Sequence, residues 1–154
     1  MKQSPTSLAG RERAEPTRPD LWWKMLTSWP ERASDDELRL ARASGANVLL
    51  IGHDPEVSDA AAFLAGSAPA PALSIWTGDG LRLPRQAPHG VVVARDVDGL
   101  LPEEQLKLLR WLDQASEETR IISTASPSLW PMVRGGAFDH DLYYRLNTVC
   151  IPLL

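Results

Sequence analysis

Five short apolar runs punctuate the chain: Asn47–Gly52, Leu73–Trp76, Val91–Ala94, Arg120–Ser123 and Asn147–Pro152. Each lacks an alternating polar face, the pattern of a strand covered on both sides in a parallel sheet. Helical spacing fills the intervals. Ser34 or Asp35 is placed to cap a helix carrying Leu38, Leu40, Ala41 and Ala43, with Gly45 as its stop. An Ala-rich helix is predicted over Val57–Leu64, closed by Gly66 and Pro69. Pro102-Glu103-Glu104 opens the clearest helix, with proline pre-set for a first turn and two acids at its positive end. Leu106, Leu109 and Leu112 form its stripe, widened by Leu108, Trp111 and Ala115. Ser128–Leu146 is predicted to be mostly helical with a break at Gly135-Gly136. Strand and helix in alternation specify an α/β fold: a three-layer α/β/α sandwich on a mainly parallel five-stranded sheet. Such sheets bind ligands beyond the carboxyl ends of their strands, which directs attention to the loops after Ile51, Ala94 and Thr124.

The 154 residues suit one core, and the charge of −4 excludes a protein built mainly to neutralise nucleic-acid phosphates. Strong direct DNA binding is therefore not expected. The lone Cys150 excludes an internal disulfide framework and multi-cysteine zinc patterns; inside an apolar strand it reads as an inert core thiol. No apolar run has the length of a membrane span and Met1–Gly10 lacks an apolar signal core, so a cytoplasmic protein is expected. Residues 1–34 hold six basic and four acidic side chains, whereas 35–154 hold ten and sixteen. Residues 1–33 divide into a Pro-rich mobile tail, to about residue 19, and a segment with Leu21, Trp22, Trp23, Met25, Leu26 and Trp29 ahead of Pro30. That segment is either a short helix docked on the following domain, residues 34–154, or an exposed adhesive patch. His53-Asp54 and Asp139-His140-Asp141 lack an identifiable third ligand, so no metal site is expected.

Arg120-Ile-Ile-Ser-Thr-Ala-Ser-Pro-Ser-Leu129 followed by Phe138-Asp-His-Asp-Leu-Tyr-Tyr-Arg-Leu-Asn147 resembles the sigma-54-dependent activators, AAA+ ATPases of bacterial transcription. The family pattern there is R-I-I-A-A-T-N-R-D-L, then F-R-x-D-L-Y-Y-R-L-N-V. Leu101-Pro102 with Gln105-Leu-Lys-Leu-Leu-Arg110, and the run Asn47–Gly52, are similar to two further segments of that family. The resemblance covers roughly residues 35–154 and implies a P-loop NTPase fold.

Where the resemblance places the chemistry, the residues depart from it. A Walker A loop needs Gly-x-x-x-x-Gly-Lys-Ser/Thr, because close backbone approach to phosphate favours Gly and the Lys neutralises charge. The corresponding stretch reads Gly52, His53, Asp54, Pro55, Glu56, Val57, Ser58 and Asp59. Val57 stands for the second Gly and Ser58 for the Lys. The Walker B Asp-Glu becomes Arg95-Asp96, the sensor pair becomes Ala125-Ser126, and the first of two arginines that complete a neighbour's site falls on Asp139, leaving Arg145. The loop that touches sigma factor has no room between Leu73 and Val91. A pseudo-ATPase is expected, with no catalytic residue and with ATP and magnesium binding lost.

Asp141, Tyr143 and Tyr144 read most simply as cap and packing residues of the helix before the last strand. Arg145 either bridges to a partner's nucleotide or pairs with a buried carboxylate. The implied function is a non-catalytic interaction domain in transcription regulation whose partner is an active AAA+ activator or related regulator, with Asp141, Tyr143, Tyr144, Arg145, Trp22 and Trp23 as interaction candidates. The alternative is a domain that retains ATP or ADP binding without hydrolysis. The resemblance also leads to the expectation that the chain holds the sheet layer without the family's helical lid.

Overall fold

The computed structural model describes residues 35–66, 73–75 and 80–153. The tail, Trp22, Trp23, Trp29, Ser34 and the turn at Gly78-Asp79 lie outside these residues. The elements run α1 (Asp35–Ser44), β1 (Val48–Gly52), α2 (Glu56–Ala65), β2 (Leu73–Ile75), β3 (Gly90–Ala94), α3 (Pro102–Asp113), β4 (Thr119–Ala125), α4 (Trp130–Arg134), α5 (His140–Leu146) and β5 (Val149–Leu153). A 3-10 turn at Val97–Gly99 joins β3 to α3. The strands form one sheet in the order β2-β3-β4-β1-β5, and all four pairings are parallel.

Neighbouring residues of a strand point to opposite faces, and helices cover both. On one face Leu49 and Ile51 of β1, Val92 and Ala94 of β3 and Ile121 of β4 pack with Leu108, Trp111 and Leu112 of α3 and Leu142 and Leu146 of α5. On the other, Val48, Leu50, Ile122 and Ile151 pack with Ala41 of α1 and Val57, Ala60, Ala61 and Leu64 of α2. The continuous apolar runs follow directly, because a strand between two helical layers has no solvent side. Leu40 departs from its expected place in the α1 stripe: it is 71% exposed, and Ala41 is the buried residue of that helix.

Polar side chains with backbone partners set the layers. Arg120 donates from Nε to the carbonyl of Ala46 (2.7 Å) and from Nη2 to that of Ala41 (2.7 Å), with longer bonds to Arg42 and Leu64. One guanidinium thus closes the carboxyl ends of α1 and α2, where carbonyls are left over and a cation is favoured. Asn47 accepts from the N–H of Ile121 (2.9 Å) and donates to the carbonyl of Arg145 (3.0 Å), fixing β1, β4 and the end of α5. The segment from Gly80 to the start of β3 has no regular structure, yet Leu81, Leu83 and Ala87 pack on the core. Trp111 Nε1 donates to the carbonyl of Pro84 (2.8 Å) and holds that segment against α3.

Candidate functional site

The parallel sheet brings the loops after β1, β3 and β4 to one edge, and the stretch from Gly52 to Asp59, where the resemblance sets a phosphate loop, occupies it. Gly52 ends β1. A Cβ there would lie 2.6 Å from the carbonyl oxygen of Leu153, so close passage of β5 explains this glycine without any ligand. The Asp54–Pro55 peptide is cis. The Val57 N–H donates to the His53 carbonyl (3.2 Å) and the Asp59 N–H to the Pro55 carbonyl (3.0 Å). The loop therefore winds directly into α2, and those two donors are spent internally. Pro55 has no N–H to offer, and Asp54, Glu56 and Asp59 are exposed carboxylates.

Arg95, at the end of β3, reaches this loop. Its Nη2 donates to both carboxylate oxygens of Asp54 (3.0 and 3.1 Å) and to the Ser58 hydroxyl, which donates in turn to Asp54 Oδ1. β4 lies between β3 and β1, so the side chain crosses the carboxyl end of β4. The Arg95 side chain is 28% exposed and that of Asp54 63%. Asp96 follows in the left-handed region (φ 52°), a conformation Asp tolerates better than most residues, and its N–H donates to the buried Thr124 hydroxyl (3.0 Å). Ala125 is buried at the sensor position. Residues that the resemblance sets at the Walker A and Walker B positions are thus in mutual contact. Sequence reasoning found both substitutions but not their pairing, although the opposite signs of Asp54 and Arg95 were a usable signal.

The interaction candidates cluster elsewhere. Asp139, not Asp141, is the cap of α5: its carboxylate accepts the Leu142 N–H at 2.8 Å. Asp141 is exposed beside His140 (3.6 Å). Tyr143 is half-buried between Trp130 (5.8 Å between ring centroids) and Tyr144 (5.4 Å), while Tyr144 is 55% exposed and stands edge-on to His140 (4.6 Å). Arg145 donates to the Leu112 carbonyl (2.9 Å) and lies 3.4 Å from Asp113, whose carboxylate is exposed, so of the two alternatives for Arg145 the pairing within the chain is with an exposed carboxylate and not a buried one. The cap fell on Asp139 because helix boundaries are set by backbone geometry that residue type alone does not fix.

Gln105 is a structural residue hidden in the helix pattern. Fully buried, it donates to the carbonyls of Leu100 (3.0 Å) and Ala137 (3.1 Å) and accepts the Asp139 N–H (2.7 Å). Cys150 is only partly buried, and burial pushes its thiol above the ordinary value. An open depression of about 380 Å³ beside α3, lined by Leu81, Leu83, Lys107, Arg110, Trp111 and Gln114, shares no residue with the loop edge. Among the described residues no helix is long and apolar enough to cross a membrane, and no group of three or more His, Cys, Asp or Glu could hold a metal.

Comparison with known proteins gives consistent results. The model of the Sigma-54 interaction domain matches residues 32–153. The HTH-type transcriptional regulatory protein TyrR of Citrobacter braakii is 33% identical over 79 residues, covering 44% of this chain and 15% of that protein. TyrR of Salmonella typhimurium is 32% identical over the same length and shares. The chain thus spans about 15% of the length of these curated relatives. The structure of NtrX from Brucella abortus in complex with ATP superposes with a TM-score of 0.62 at 16% identity, covering 86% of this chain and 41% of that one. The P-loop NTPase domain of a sigma-54 activator from E. coli gives 0.54 at 20% identity, covering 75% and 93%. These two likenesses establish the fold.

Proposed function

The chain belongs to the Sigma-54 interaction domain family, an AAA+ domain of transcription regulators, and from that premise we propose that it is a non-catalytic member acting through protein contacts. The observation that carries the proposal is the state of the phosphate loop. An anion cradle needs free backbone N–H groups converging beneath positive charge. Here the Val57 and Asp59 donors are consumed by His53 and Pro55, proline removes another, and the loop carries three exposed carboxylates, Asp54, Glu56 and Asp59. Phosphoryl transfer depends almost wholly on positioning and charge stabilisation, so no residue of this edge is suited to it.

The proposed partner is an active AAA+ activator or a related regulator. A subunit that keeps the sheet but offers no working site would interrupt a ring in which each subunit completes its neighbour's chemistry. Two measurements test this. A ligand that binds only the folded state at 100 times its dissociation constant adds about 2.7 kcal/mol of stability. Thermal melts with ATP or ADP at about 5 mM, with and without magnesium, are expected to show no shift by that relation. A shift equivalent to micromolar affinity would establish the nucleotide-binding alternative instead. Titration into a hexameric sigma-54 activator should lower its ATPase activity, and failure to associate with any such activator would remove the interaction role.

A further inference from the structure

We propose that Asp54, Ser58 and Arg95 form a clasp that ties the loop after β1 to the end of β3 in the absence of any ligand, replacing the tie that a nucleotide and its metal make between these two places in P-loop NTPases. The proposal rests on the non-catalytic reading above and extends it: the loop edge is a closed structural joint rather than a decayed one.

The charges are inverted as a pair. A working P-loop places a cation on the loop and a carboxylate at the end of the facing strand, with phosphate and metal between them. Here the carboxylate, Asp54, is on the loop and the cation, Arg95, is on the strand, and they bond directly. Ser58, at the lysine position, accepts from Arg95 and donates to Asp54, so the three side chains form a closed triangle. The strand end is itself anchored, because the Asp96 N–H is held by Thr124 of β4. One change without the other would leave two like charges facing or one charge unmatched, whereas the two together satisfy each other.

Hydrogen exchange on the full chain without nucleotide tests the clasp. Arg95→Met, which keeps much of the apolar stem, and Asp54→Asn are each expected to speed exchange of the amides of residues 54, 56–59 and 95–97 by about three- to tenfold, the range of a partly exposed charge-assisted contact. The double variant should exchange no faster than either single one, since the same contact is lost. Unchanged β4 amides report that the fold is intact. Exchange in Arg95→Met equal to that of the parent, or strictly additive effects in the double variant, overturns the clasp. ATP hydrolysis by the parent chain would instead overturn the non-catalytic reading, while the exchange result decides the clasp separately.

Discussion

At the scale of single residues, the sites least tolerant of change are those where backbone and side chain meet at close quarters. Gly52 is one: the clash of an added Cβ with the Leu153 carbonyl means that Gly52→Ala must displace β5 from β1. A loss of about 1–3 kcal/mol, the usual cost of overpacking, is expected in urea denaturation. Arg120 is another. Its fork serves several carbonyls at once, which an ammonium cannot do from the same stem, so Arg120→Lys is expected to lose about 1.5–3 kcal/mol in the same assay. Cys150 supplies a pH dependence. Burial raises its thiol above the ordinary 9.0. The unfolded chain therefore releases the proton first, and stability present below pH 9 falls as pH rises through the higher folded value. Tyr143, raised above 10.0 mainly by burial, acts in the same direction further up. Melting midpoints should fall from about pH 9 upward, and less steeply in Cys150→Ala.

At the scale of elements, α3 positions more than it buries. Its inner stripe is Leu108, Trp111 and Leu112, not the expected Leu106, Leu109 and Leu112: Leu106 is 43% exposed and Leu109 only partly buried, so the core-facing line is displaced from the three-residue leucine spacing. The same helix carries Gln105, whose amide latches the loop leading into α5 and whose oxygen holds the Asp139 N–H. Gln105→Leu leaves two carbonyls and one N–H without that partner. A cost of about 2–4 kcal/mol is expected, with faster hydrogen exchange centred on residues 137–142. Asp139 then caps α5, so Asp139→Ala should cost about 1 kcal/mol while Asp139→Asn is nearly neutral, as read by thermal melts. The position where the family resemblance places an arginine thus has a different task in this chain.

At the scale of the whole molecule, one sheet of the described residues holds two helical layers, and its carboxyl edge gathers the residues that depart from the phosphate-loop, Walker B and sensor patterns. Residues 35–154 carry ten basic and sixteen acidic side chains, and the acidic loop lies on that edge. Duplex DNA should therefore not be retarded at about 150 mM salt in a mobility-shift experiment, because net repulsion leaves few phosphates to neutralise. The five strands and their parallel pairings match the expectation from alternating strands and helices, while the strand order comes from the structure alone.

The apolar runs and the existence of the helices were legible because burial between two layers imposes continuous hydrophobicity on a strand and a 3.6-residue period on a helix, but which residues face inward was not, as exposed Leu40 and Leu106 show. The family and the loss of its phosphate and metal residues were also readable, since both are matters of residue type at fixed spacing. What only the tertiary structure decided are contacts between residues distant in sequence: Arg95 with Asp54, Gln105 with the loop before α5, Arg120 with the ends of α1 and α2, and Arg145 with the end of α3. A local pattern cannot specify such pairs, because they depend on which strand ends the sheet places side by side and on how far each side chain reaches across them.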